Sequence, residues 1–225
     1  MKKQKELIDY FSQHISENRK ELIEKLLTAR TRRITVVLED VYQSLNASAV
    51  LRSCDGFGVQ DVHFVEQRNA GVEIKKNISM GTAKWLTIHK HTQQNGKTAL
   101  HNLSTQLKQQ GYSLVATSPH ATDTLETLSL DSKVALLFGT EDEGLTQEAF
   151  ALADKTVKIP MFGFAESFNV SVSVALCLYA LTTRLRSNNK DWQLSLQEQE
   201  ALRLEWYKNS VRNAEIYERE FLSKK

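Results

Sequence analysis

"AESFNVSVSVALCLYALTTRL" (165–185) admits two readings, and the choice between them decides the fold. Val170, Val172 and Val174 alternate with Ser171 and Ser173, the period of a half-buried strand. Yet Leu176, Leu178 and Leu181 follow without a break, and the segment is too long for an ordinary strand. Val170, Val174, Leu178 and Leu181 fall at i, i+4, i+8 and i+11, one stripe of a helix, and Arg184 and Arg186 suit its last turn. The segment therefore reads as a helix over 169–187 with Ser167 and Asn169 at its N-terminus. Ser171, Ser173, Ala175 and Ala180 permit close packing against another surface.

Upstream of this helix, strands and helices alternate. Strands are expected at 34–40 ("ITVVLED"), 62–66, 84–90, 112–118, 134–139 and 156–161 ("TVKIPM"). Helices are expected at 46–59, capped by Asn46 or Ser48 and stopped by Gly56 or Gly58, at 73–80 ("EIKKNISM"), at 97–111 and near 146–154. Such alternation implies βαβ crossovers and a mainly parallel sheet with helices on both faces. The core spans 34–187. A helical N-terminal extension covers 1–33, where Asn18 and Glu21 have capping-box spacing and divide it into two helices. A helical C-terminal extension covers 188–225, with Leu196, Leu202, Trp206, Val211, Ile216, Tyr217 and Phe221 marking a docking face.

The chain has 225 residues, 41% hydrophobic and 25% charged, with nine Gly and two Pro. This composition excludes a disordered or fibrous protein and leaves room for a full α/β core. Net charge is only +2, but residues 1–33 hold nine Lys/Arg against five acids, a local excess of four. That excess fits contact with nucleic acid, and equally a solvated helix face. Arg30, Arg32 and Arg33 end the basic arm and are its candidate RNA-binding residues. Cys54 and Cys177 read as buried free thiols. No apolar run is long enough to span a membrane and no signal peptide is evident, so a soluble cytoplasmic protein is expected.

Three polar islands follow strands: "EDVYQSLNASAVLRSCDGFG" after the first, "FGTEDEGLT" after the 134–139 strand, and "IPMFGFAESFN" after the 156–161 strand. Ligands of parallel sheets bind at the carboxyl ends of strands, so the islands point to one pocket. By spacing alone, Asn46 reads as a helix cap, Arg52 as a solvated side chain, and the acidic turn as a lead into a helix capped by Thr146. The six histidines show no metal-ligand spacing. Nucleotide-binding glycine loops and zinc motifs are lacking, and no metal is expected.

Together the islands resemble the three motifs of the SpoU/TrmH branch of the SPOUT RNA methyltransferases. The matching stretches are "NASAVLR", "GTEDEGL" and "IPMFGFAESFNVSVSVAL", in the family's order and spacing, and the likeness covers about residues 30–187. It implies an α/β knot, a deep C-terminal trefoil holding S-adenosylmethionine, and a homodimer with the active site near the subunit interface. It also implies 2'-O-methylation of a tRNA guanosine, the D-loop guanosine at position 18. Alternatives are a ribosomal RNA 2'-O-methyltransferase of the same branch and a non-catalytic RNA-binding module on this fold. By the resemblance, Arg52 is the catalytic arginine and contacts RNA phosphate, while Asn46, Glu141, Ser167 and Asn169 complete the catalytic set. Thr117, Gly139, Ile159, Met161 and Ser167 take the cofactor, largely through the main chain.

Overall fold

The computed structural model describes residues 2–68, 81–93, 96–187 and 191–223. The helix expected at 73–80 lies outside them. Two compact units emerge: residues 32–192, and residues 1–31 together with 193–225.

The larger unit is built on a sheet of seven strands: β1 (Ile34–Glu39), β2 (Asp61–Val65), β3 (Thr87–His91), β4 (Tyr112–Thr117), β5 (Asp123–Thr124), β6 (Lys133–Phe138) and β7 (Lys155–Lys158). Their order is β3-β2-β1-β6-β4-β7-β5, and every neighbouring pair is parallel. Val36 sits opposite both Val62 and Leu136, so β1 is paired on both edges. Its burial on both faces explains why "ITVVLE" is continuous rather than alternating. Ile34, Val36 and Leu38 enter one apolar core with α3 (Ser44–Gly56) and with Val170, Val174, Leu178 and Leu181 of α6 (Val170–Ser187). Val37 enters the other, with Leu100, Leu103 and Leu107 of α4 (Ala99–Gln109) and Ala149 of α5 (Gln147–Leu152). Each of these large apolar side chains contributes about 1.5–3 kcal/mol through burial. The 165–185 question is thereby answered: Val172 is exposed while Val170 and Val174 are buried, the helical stripe and not the strand alternation.

Several boundaries differ from expectation. The first core helix begins at Ser44 rather than at Asn46 or Ser48, with Gln43 as its N-cap and no side-chain cap bond. The amide of Asn46 is thus not consumed by capping. The third strand starts at Thr87, after a 3₁₀ turn at Thr82–Trp85. β7 stops at Lys158, because Pro160 has no N–H for a ladder and the chain leaves the sheet at Ile159. The short β5, beside β7, was not anticipated.

The smaller unit joins the two chain ends, which the sequence had shown as separate extensions. α1 (Lys2–Ser12), α2 (Glu17–Leu27), α7 (Leu196–Ser210) and α8 (Ala214–Ser223) pack together. Phe11, Leu27 and Trp206 are fully buried here, whereas Leu196 and Ile216 of the expected docking face are exposed. The Arg203 guanidinium donates two hydrogen bonds to the Glu24 carboxylate, at 2.6 and 2.7 Å. Helix α2 starts after Ser16, so Asn18 lies inside its first turn and no Asn18–Glu21 box forms. A capping box does form at Ser195 and Glu198.

On β2 and β3 three imidazoles stack. His63 lies 4.5 Å from His89 between ring centroids, and its Nδ1 is 3.0 Å from Nε2 of His91. Asp61 binds one outer ring of the stack, His89, at 2.9 Å, and also pairs with Arg32 at 2.7 Å. Burial, helped by the neighbouring His89 and His91, pushes His63 down to about 3 from its ordinary 6.5. The unfolded chain therefore takes up this proton first as pH falls. The contribution of His63 is fully present above about pH 6.5 and is lost toward pH 3. Replacing His63 with Phe, which keeps a ring in the stack, should flatten the fall of the urea midpoint across that window. An unchanged slope would show that His63 does not titrate on unfolding.

Candidate functional site

The carboxyl ends of β4, β6 and β7 open onto one cavity of about 330 Å³. Its wall comes from Thr117–His120 after β4, Phe138–Leu145 at and after β6, Phe150 of α5, Val157–Ile159 and Met161 at the end of β7, and Glu166–Phe168 with Val170, Ser173 and Cys177 at the start of α6.

The 139–146 turn owes its shape to two glycines. The chain doubles back so that Thr140 and Gly144 exchange backbone hydrogen bonds. A Cβ on Gly139 would lie 2.0 Å from the Gly144 carbonyl carbon, so no larger residue fits. Gly144 takes φ +68, the left-handed region open to glycine at little cost. At the far end Thr146 caps α5, its hydroxyl accepting the N–H of Ala149 at 3.1 Å.

Three of the expected residues meet. The side-chain amide of Asn46 donates to Glu141, and its carbonyl accepts from the Asn169 amide at 3.1 Å. Asn169 in turn accepts the N–H of Ser171 at 2.9 Å, fixing the entry to α6. One carboxylate oxygen of Glu141, Oε2, is buried and accepts from no group among the described residues. Such an orphaned acceptor costs free energy unless a ligand donates to it. Thr117, Gly139, Ile159, Met161 and Ser167 all line the cavity, although the Thr117 hydroxyl is taken by the Leu137 carbonyl at 2.8 Å.

Arg52 is placed differently. It is exposed on α3, outside the cavity wall, and no hydrogen bond or ion pair holds it among the described residues. The three arginines expected to bind RNA are otherwise engaged. Arg30 is buried beneath Trp206, its guanidinium 5.0 Å from the ring centroid. Arg32 pairs with Asp61, and Arg33 donates to the carbonyls of Leu130 and Asp131 at 2.7 and 2.9 Å. All three side chains thus have partners within the protein, which sequence alone could not reveal.

Sequence reasoning also missed residues that frame the site. Tyr42, before α3, donates to Asp142 at 3.1 Å. Asp40 takes φ 52 and turns its buried carboxylate toward the N–H groups of Gln67 and Arg68, at 2.8 and 2.9 Å. Burial opposes its ionisation, but those donors and the Arg68 guanidinium outweigh it and hold Asp40 below the ordinary carboxylate range. Arg68 reaches on to Glu143 at 2.6 Å. Burial pushes the Cys177 thiol up to about 12, leaving it inert in the wall. Among the described residues no group of three His, Cys, Asp or Glu could hold a metal ion, and no helix is long and apolar enough to cross a membrane.

Gly139→Ala should force the turn open and destabilise the unit by at least about 2 kcal/mol, a melting temperature about 4–8 °C lower. Calorimetric unfolding at one pH reads this directly. A wild-type melting temperature would mean that the turn has room the geometry denies.

Comparison with known proteins adds independent findings. The SpoU rRNA Methylase family matches residues 33–179. The chain is 40% identical over 212 residues to a tRNA (guanosine(18)-2'-O)-methyltransferase of Borreliella burgdorferi, covering 94% of each. With the enzyme of that description from Thermus thermophilus it shares 37% identity, covering 78% of this chain and 88% of the relative. Among solved structures, the A. aeolicus TrmH/SpoU tRNA modifying enzyme superposes with a TM-score of 0.77 at 26% identity, covering 88% of this chain and 98% of that one.

Proposed function

The chain belongs to the SpoU RNA methylase family, and from that premise we propose that it methylates the 2'-hydroxyl of a tRNA guanosine, the D-loop guanosine at position 18, using S-adenosylmethionine. One observation carries the reading: the Asn46–Glu141–Asn169 network stands at a cavity wall with a free buried acceptor, while the family's arginine stands unpaired.

The cavity suits the cofactor. Its volume lies in the range of small-molecule sites. Phe138, Leu145, Phe150 and Val157 offer apolar surface for a base. Glu141, Asp142, Glu143 and Glu166 outnumber Lys158 as charged wall residues, which favours a cationic sulfonium. When bound, S-adenosylmethionine supplies the methyl group as a sulfonium electrophile. The wall then excludes water, and the backbone at Gly139, Ile159 and Met161 orients the donor. Oε2 of Glu141 accepts a ligand N–H or O–H. Asn46 and Asn169, fixed by each other, hold that carboxylate and the ribose in register. Arg52 binds a substrate phosphate and stabilises the developing alkoxide.

The finer parts of the reading belong to the same proposal. The C-terminal part of residues 32–192 threads a trefoil knot. Two copies pair through α6, a reading supported by the exposed Val172, Leu176 and Tyr179. Such pairing gives the outward Arg52 a neighbour's cavity to serve. The exposed Lys3, Lys5 and Lys25 carry phosphate contacts of the basic arm. The enzyme works in the cytoplasm, with tRNA as its substrate.

The test is methyl transfer to tRNA transcripts, with the modified nucleotide mapped. Arg52→Ala should lower kcat about 10²–10³-fold while leaving cofactor affinity, read by calorimetry with a chelator present, unchanged. Methylation of ribosomal RNA alone, or no cofactor binding at all, would overturn the assignment.

A further inference from the structure

Glu39 is the last residue of β1, and its side chain is 1% exposed. It does not line the cavity. Instead it lies behind the acidic turn and binds that turn's far end twice. Oε2 accepts the backbone N–H of Thr146 at 2.9 Å, and Oε1 accepts its hydroxyl at 2.6 Å. Because the Thr146 proton points to Glu39, the hydroxyl oxygen is free to accept from Ala149 and cap α5. The turn is thus clamped at both ends. Strand β6 and the close approach of Gly139 to Gly144 hold its start, and Glu39 holds its end. Between the clamps sits Glu141, the partner of Asn46.

Burying a carboxylate is costly, and an apolar residue of similar size would serve the core better. Burial indeed raises the Glu39 pKa, although the Thr146 bonds act against it. A costly group that touches neither cavity nor solvent calls for another use.

We propose that Glu39 is a positioning residue: through Thr146 it fixes the place of Glu141, and hence the register of the Asn46–Asn169 network. The proposal rests on the methyl-transfer reading for its kinetic consequence, but its structural content stands apart from it. A carboxamide can keep the clamp, since its oxygen accepts the Thr146 N–H and its nitrogen donates to the Thr146 oxygen. A leucine fills the space and cannot.

Three proteins decide the matter: wild type, Glu39→Gln and Glu39→Leu, each shown to be folded by its melting curve. Amide hydrogen exchange of residues 139–146 should be faster in the Leu variant and near wild type in the Gln variant. At saturating cofactor and a temperature well below unfolding, the Leu variant should lose about 10- to 100-fold in kcat, the cost of a displacement near 1 Å. Its KM for tRNA should change less than about threefold, and the Gln variant should keep kcat within about threefold. Unchanged exchange and kcat in the Leu variant, or equal losses in both, would overturn the proposal. Should Glu39→Leu fail to fold, Thr146→Ser against Thr146→Val makes the same comparison. Wild-type protein without transfer activity would count against the methyl-transfer reading, whereas the exchange comparison still decides the role of Glu39.

Discussion

The side chain of Asn46 has an amide to give and a carbonyl to receive, and both are used across chain segments far apart in sequence. Its amide binds Glu141, beyond β6, and its carbonyl receives Asn169, at the mouth of α6. Those bonds draw together the loops after β1, β6 and β7. The sheet order makes the meeting possible: β1 neighbours β6, and β4 lies between β6 and β7. Parallel strands deliver their carboxyl ends to the same edge, so polar loop residues accumulate there. In a partly buried setting such a network is worth most when every member is satisfied. Here one acceptor, on Glu141, is left over. The protein alone is therefore incomplete at the point where a ligand can complete it.

Adjacent acids at the end of β1 do opposite things. Glu39 points to the 139–146 turn, while Asp40 points to residues 67–68. The left-handed backbone at Asp40 ends the strand and sends its carboxylate toward donors that Glu39 does not share. The outcome differs as well. Burial dominates at Glu39 and raises its pKa, whereas donors dominate at Asp40 and lower it. Arg68 then links Asp40 to Glu143, a further tie onto the acidic turn. With Tyr42 on Asp142, the loop after β1 and the turn after β6 are bound at several points.

Arginine in this chain is mainly a structural donor. Arg33 binds the carbonyls of Leu130 and Asp131; Arg184 binds those of Leu125 and Leu128; Arg186 binds that of Phe57. Each guanidinium offers five N–H groups in a planar fork, which suits loop ends whose carbonyls have no ladder partner. Arg52 is the contrast: its fork is exposed and unspent among the described residues.

The sequence by itself determined the parallel α/β architecture, because β1 had to be buried on both faces and the stripe from Val170 to Leu181 had to be helical. It also determined the three polar islands, since turn glycines and short polar residues stand out against apolar strands. What it could not determine was which polar groups meet. Asn46 carried a local explanation as a helix cap, and only the helix start at Ser44 freed it. Glu39 read as the end of a buried strand, and its partner lies 107 residues away. Likewise Arg30 read as part of a basic arm, yet its ring partner is Trp206, near the other end of the chain. Local periodicity reports which face of an element is apolar. The pairing of individual donors and acceptors depends on distances between elements, and those exist only once the sheet order and the packing of the two chain ends are set.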